Sequence, residues 1–177
     1  MPQRFKVQEG SYPHFITSSV VHWIPAFNRL DYFQILADSF IYCIEKKGLV
    51  VHANVFMPNH FHAICSQTDG RLSDAIRDLK RFTSRQVTEQ LERDGRGIWL
   101  RAMQRAAGNR DGARLWDEAF HPEQICSEAF FKQKLDYLHD NPVRAGFVDD
   151  PSDWKYSSAG FYYRDQPSII PITPIEW

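Results

Sequence analysis

The spacing of hydrophobic positions changes character several times along the chain. Residues 14–21 are dense in Phe, Ile, Thr and Val and predict a strand. From Asn28 to Lys47, Phe33, Leu36, Phe40 and Ile44 recur at helical spacing, and Gly48 supplies a C-terminal stop. Residues 49–56, with partial alternation, and 59–66 predict two further strands, and Met57-Pro58 between them suits an antiparallel hairpin. Residues 73–93 predict a second long helix that buries Leu72, Ile76, Leu79, Phe82 and Val87. Arg77, Arg81 and Arg85 form a stripe on another face of that helix. Residues 94–113 combine Gly95, Gly97, Gly108 and Gly112 with several arginines and predict a loop or mobile insert, with 98–101 as a short strand inside it. Residues 115–121 predict a fourth strand, and Ser127 is the N-cap of a third helix reaching about Asp140. The tail from Asp149 to Trp177, rich in Pro and aromatics, is expected to wrap over the domain. Strand, helix, strand, strand, helix, strand, helix is the order of an α+β fold: an antiparallel sheet with a ferredoxin-like core and helices packed on it.

Composition narrows the class. At 177 residues, 43% hydrophobic and 24% charged, the chain suits a single globular domain over 1–177. No apolar run approaches the ~20 residues of a membrane helix, and Met1–Gly10 lacks the apolar core of a signal peptide. Cys43, Cys65 and Cys126 are odd in number and far apart, which argues against a disulfide framework or zinc knuckle and for a reducing cytoplasm. The net charge of −1 hides an uneven distribution: Arg71 to Arg114 holds eleven Lys or Arg against six Asp or Glu. Phosphates respond to such a local excess, although a solvated helix face gives the same count.

The candidate chemistry lies in two short segments. His60 and His62, in Met57-Pro-Asn-His-Phe-His-Ala-Ile64, are two apart on a predicted strand and leave one face together. Such a pair is more often surface or satisfied core than ligand, so it needs company. In the third helix Phe131, Leu135 and Leu138 form the buried stripe, and Tyr137 and Asn141 share a polar face one turn apart. His139 points about 160° away from Tyr137 and reads as structural. Pro142 should end the helix around Asn141. Two imidazoles and an amide oxygen suit a divalent ion such as Mg²⁺ or Mn²⁺ and leave positions open for phosphate oxygens. Tyrosine, with an ordinary pKa of about 10, needs help to act as a nucleophile. Trp154, Tyr156, Phe161, Tyr162 and Tyr163 offer faces for unpaired bases, though packing of the tail is the commoner use.

His60-Phe61-His62 resembles the His-hydrophobic-His motif of the HUH single-tyrosine transposases. Tyr137-Leu-His-Asp-Asn-Pro-Val-Arg-Ala-Gly-Phe-Val148 resembles the signature of one branch, the REP-associated tyrosine transposases. Pro13-His-Phe-Ile-Thr17, the run from Leu72 to Ser84 and Asp153-Trp-Lys-Tyr-Ser-Ser-Ala159 extend the resemblance over most of the chain. It implies the HUH endonuclease fold, with His60, His62 and Asn141 as ligands of Mg²⁺ or Mn²⁺ and Tyr137 as nucleophile. The implied reaction nicks and rejoins single-stranded, hairpin-bearing DNA through a 5′-phosphotyrosine, in a monomer. Beside that site the basic residues Arg77, Lys80, Arg81, Arg85, Arg101, Arg105 and Arg144 become the expected DNA contacts. Two other readings stay open: a hairpin-binding protein that no longer cuts, and a phosphodiesterase that uses water instead of Tyr137.

Overall fold

Each of the long amphipathic stretches finds a partner layer in the structure, a computed structural model that describes residues 5–6, 12–68, 71–108 and 112–177. Strands β1 (Phe5–Lys6) and β2 (His14–Ser19) are followed by α1 (Leu30–Lys47), β3 (Leu49–Met57) and β4 (His60–Gln67). Next come α2 (Leu72–Arg93), α3 (Gly97–Ala107), β5 (Glu123–Gln124), α4 (Glu128–Arg144), α5 (Ala159–Arg164) and β6 (Ile175–Glu176). The central sheet has the order β3-β4-β2-β5 and is antiparallel throughout. β1 pairs in parallel with β6, so the two ends of the chain meet. Most of Met1–Gly10 and residues 109–111 of the Arg/Gly-rich segment lie outside the described residues.

The sheet separates two cores. On one face Ile16, Phe61, Ala63 and Cys65 pack with Phe33, Leu36 and Phe40 of α1 and Ile76, Leu79 and Val87 of α2. On the other, Phe15, Val55, Met57 and Ile64 pack against Phe131, Leu135 and Leu138 of α4. Strand alternation thus assigns Phe61, Ala63 and Cys65 to the α1/α2 side and leaves His60, His62 and Ile64 for the α4 side. The partial alternation of β3 has a cause: a bulge between Val51 and Ala53. Before it Leu49 and Val51 face α1 and α2, and after it Ala53, Val55 and Met57 face α4. His52, at the bulge, is buried between Ser66 Oγ (2.8 Å) and the Thr173 carbonyl (2.7 Å), and burial pushes its pKa down to about 4.

The structure differs from the sequence-based expectation at four places. Residues 97–107 form helix α3, not a loop or short strand; Met103 is its buried anchor in the α1/α2 core, and the flanking Gly95 and Gly108 adopt positive φ. The fourth strand is split: Trp116 makes an isolated bridge to Val20, and pairing with β2 resumes only at Glu123–Gln124. Helix α4 runs through Pro142 to Arg144. Pro142 stands within a turn of the helix end, where its missing N–H costs one bond and where capping bonds from Ala145 and Phe147 (3.0 and 2.9 Å) take over. On α2 it is Thr83 that is buried, its hydroxyl returned to the Leu79 carbonyl at 2.6 Å, while Phe82 is half-buried and stacks on Tyr42.

The aromatic tail runs along β3, which is the sheet's edge. Ser158 N–H bonds the Asn54 carbonyl, Phe56 N–H the Tyr156 carbonyl and Thr173 N–H the Val51 carbonyl, each at 2.9 Å. An edge covered in this way is closed to pairing with other chains.

Candidate active site

The β3–β4 turn and β4 set the first half of the site. Met57 pairs with His60 across Pro58 and Asn59, and Val20 N–H bonds the Asn59 carbonyl at 2.8 Å, so the approach to His60 is held from two sides. The His60 and His62 ring centroids are 4.9 Å apart. Each ring is held at Nδ1. Asn59 Oδ1 lies 2.8 Å from His60 Nδ1, and Thr17 Oγ1, on the neighbouring β2, lies 2.7 Å from His62 Nδ1. With Nδ1–H donating to these oxygens, Nε2 is the nitrogen left to bind an ion, the arrangement in which a second partner orients a ligating histidine. Phe15, two residues from Thr17, stacks on His62 at 5.2 Å.

Helix α4 supplies the second half. Ser127 Oγ accepts from Phe130 N–H at 3.2 Å and caps its start. Its apolar stripe lies on Phe15, Val55 and Ile64, which brings the Tyr137 ring to 5.5 Å from His62 and 6.0 Å from Phe15. Tyr137 is 41% exposed. One turn on, Asn141 is 9% exposed and its side chain lies beside the His60 ring. The Arg144 guanidinium lies 4.5 Å from the Tyr137 ring centre and 3.6 Å from Asp140 Oδ2.

Burial sets the protonation of the pair. It lowers the His60 pKa, opposed by the Asn141 side chain. It takes His62 down to about 3, with further lowering from His60, Arg144 and Lys134 nearby. Both rings are therefore neutral at physiological pH, the state in which imidazole binds metal. Among the described residues no group of three or more His, Cys, Asp or Glu side chains gathers as a metal site. The donor set here is two imidazoles and an amide, neutral and incomplete by itself, which fits an ion that completes its shell with phosphate oxygens and water.

Comparison with known proteins bears on what this arrangement is. No family model matches the chain. The REP-associated tyrosine transposase of Escherichia coli K12 is 24% identical over 145 residues, covering 82% of this chain and 72% of the relative. A protein of Haemophilus influenzae assigned to the same transposases is 26% identical over 148 residues, covering 83% of this chain and 77% of its own. The chain is homologous to the REP-associated tyrosine transposases. The solved structure of a REP-associated tyrosine transposase bound to a REP hairpin matches at a TM-score of 0.62 and 19% identity, over all of this chain and 93% of that one. The α+β architecture of this homologue is accordingly the HUH transposase and endonuclease fold.

In the structure His60, His62, Tyr137 and Asn141 meet on one face of the sheet. Of the seven basic residues expected to meet DNA, Arg144 alone joins them. Arg77 is paired with Asp74 and Asp78 at 2.9 and 3.4 Å, and Lys80 Nζ donates to the Asp117 carbonyl at 2.9 Å. Arg81 lines a cleft of about 510 Å³ with Lys80, Arg114 and Trp116, and Arg85 lies over Phe82. Arg101 and Arg105 are exposed on α3. These six belong to helices of the α1/α2 layer, across the sheet from Tyr137. Most of the tail aromatics pack: Trp154 Nε1–H donates to the Phe56 carbonyl, Tyr156 stacks on Phe33, and Tyr162 donates to the His52 carbonyl. His139 is structural, buried between Ser158 Oγ (2.8 Å) and the Tyr163 hydroxyl (3.1 Å), with its pKa pushed down to about 3 by burial. Sequence reasoning missed Thr17 and Asn59. Their signals are present but faint: Thr17 is two residues from Phe15 on one strand face, and Asn59 directly precedes His60.

Proposed function

We propose that this protein nicks and rejoins single-stranded, hairpin-bearing DNA through a covalent link to Tyr137. Homology gives family-level support for HUH-type activity on single-stranded DNA. The observation that carries the finer reading is the exposed Tyr137 ring 5.5 Å from the buried His62, with the half-buried His60 beside it and both rings neutral. His60, His62 and Asn141 would hold Mg²⁺ or Mn²⁺, and such an ion supplies Lewis-acid polarisation of the phosphodiester. The Tyr137 oxygen attacks phosphorus, the bond to the 3′ oxygen breaks, and a 5′-phosphotyrosine and a free 3′-hydroxyl result. Another 3′-hydroxyl can reverse the step, since the phosphodiester energy is kept in the link. Arg144 stands where it can neutralise charge on the attacked phosphate. Arg77, Lys80, Arg81, Arg85, Arg101 and Arg105, on the other layer, would serve the paired stem of the hairpin by backbone contacts.

The test uses a single-stranded oligonucleotide carrying a palindromic repeat hairpin, labelled on the 3′ side, with protein and Mn²⁺ or Mg²⁺. Label that migrates with the protein on a denaturing gel, and is lost in Tyr137→Phe, is the expected result. Cleavage without an adduct would assign the attack to water, and tight binding without cleavage would leave a hairpin-binding protein.

A further inference from the structure

The tight turn at Val21–Trp23 adds an aromatic side chain to the site that neither the motifs nor the proposed chemistry uses. Trp23 is 62% exposed, and its ring meets the His60 ring edge-on at 6.0 Å. Two other tryptophans near the sheet are consumed by packing: Trp116 is buried against Phe27 and Phe61, and Trp154 is bonded to the Phe56 carbonyl. Two successive residues, His22 and Trp23, hold φ of +55°, a left-handed conformation that is uncommon for L-residues and rare for a bulky one such as tryptophan. The surrounding backbone enforces it. Val20 N–H bonds the Asn59 carbonyl, Val21 N–H the Leu115 carbonyl and Trp23 N–H the Val20 carbonyl, at 2.8, 2.8 and 3.0 Å. Val20 and Val21 are buried, which pins the turn and turns the indole outward beside the hairpin that carries His60. Backbone strain maintained to expose an apolar ring next to a reactive centre points to a ligand.

We propose that Trp23 is the stacking platform for one unpaired base of the DNA strand cleaved at Tyr137. This rests on the reading of the site as one that acts on single-stranded DNA. An indole face beside a phosphodiester site matches the chemistry of an unstacked nucleobase, whose π-face is available only when it is unpaired. Stacking of this kind tolerates any base, so Trp23 sets the position of the strand relative to Tyr137 and His60 without reading its sequence. It is a positioning residue: it orients the substrate and takes no part in bond making.

The experiment compares the Mn²⁺-loaded wild type with Trp23→Ala, Trp23→Phe and Trp23→Gly. Binding is read by fluorescence anisotropy, and adduct yield on gels. The probes are the single-stranded repeat oligonucleotide and a set in which each nucleotide around the cleaved phosphate is in turn made abasic. On intact DNA, Trp23→Ala is expected to weaken binding about tenfold and Trp23→Phe far less. One abasic position should weaken the wild type by the same factor and have no added effect on Trp23→Ala. Trp23→Gly, which suits the backbone, should melt no lower than the wild type and still lose the affinity. Equal binding and equal adduct yield for wild type and Trp23→Ala would overturn the platform while leaving the tyrosine chemistry intact. An abasic penalty that persists in Trp23→Ala would do the same. A wild type that neither binds nor cleaves the strand brings down the parent reading, and this one with it.

Discussion

Thr17 and Asn59 decide which nitrogen each site histidine presents, because they hold His62 and His60 at Nδ1. Removing either oxygen frees a ring to rotate or to exchange tautomers. Thr17→Val and Asn59→Ala should each weaken Mn²⁺ binding by about 10- to 100-fold in calorimetric titration. Thr17→Ser should restore most of it, and unchanged affinity in Thr17→Val would remove the hydroxyl from this role. That His60 and His62 leave one face together was legible in the sequence, because a two-residue period on a strand fixes a shared face. Thr17 was not, because its contact crosses 45 residues and depends on the register between β2 and β4. Trp23 was illegible for another reason: nothing in a single sequence marks a tryptophan as one kept out of the core. Its left-handed backbone comes from neighbours bonded to Asn59 and Leu115, far along the chain.

Helix α4 carries a local pattern across to the histidine strand, bringing Tyr137 beside His62. Its apolar stripe was readable from residue spacing, and so was the angle between that stripe and Tyr137. The continuation past Pro142 was not, because the local preference of the residue before proline was outweighed by packing that buries Leu138, Asn141 and Pro142. Two substitutions separate helix stability from site geometry. Ser127→Ala removes the cap at the far end and should cost about 1 kcal/mol in chemical unfolding, with the rate of adduct formation little changed. Leu138→Ala opens a cavity beneath the tyrosine and should cost about 3 kcal/mol, with adduct formation depressed even under conditions where the protein is folded. A Leu138→Ala protein as active as wild type would show that the packing of α4 does not set the position of Tyr137. The α3 helix was missed for a compositional reason. Four glycines suggested a loop, yet Gly95 and Gly108 flank the helix at positive φ, and Met103 anchors it.

The molecule as a whole is one sheet between two dissimilar layers. The α1/α2 side holds the larger core and six of the expected basic contacts, and the α4 side holds the site. Element order and period made the layers legible, whereas the bulge at His52 and the split fourth strand depend on tertiary contacts with the tail and with Val20. The fold should be acid-sensitive through its buried histidines. His52 and His139 have folded pKa values of about 4 and about 3, below the ordinary 6.5. The unfolded chain therefore takes up protons that the folded chain refuses. Their contribution is intact above pH 6.5 and falls away as the pH drops below it, by about 2 kcal/mol per histidine at pH 5. Urea unfolding in chelator at pH 7 and pH 5 should show this loss, and His52→Gln should flatten the dependence by about one histidine's share. Equal stability at the two pH values would contradict it. On the proposed reading, the face of β4 and the face of α4 together make Tyr137 a nucleophile toward DNA. Peptide mass mapping after incubation with Mn²⁺ and the single-stranded repeat tests it most directly. The expected result is a nucleotide mass on the peptide that contains Tyr137, and on no other. Cleaved DNA with that peptide unmodified throughout the time course would contradict it.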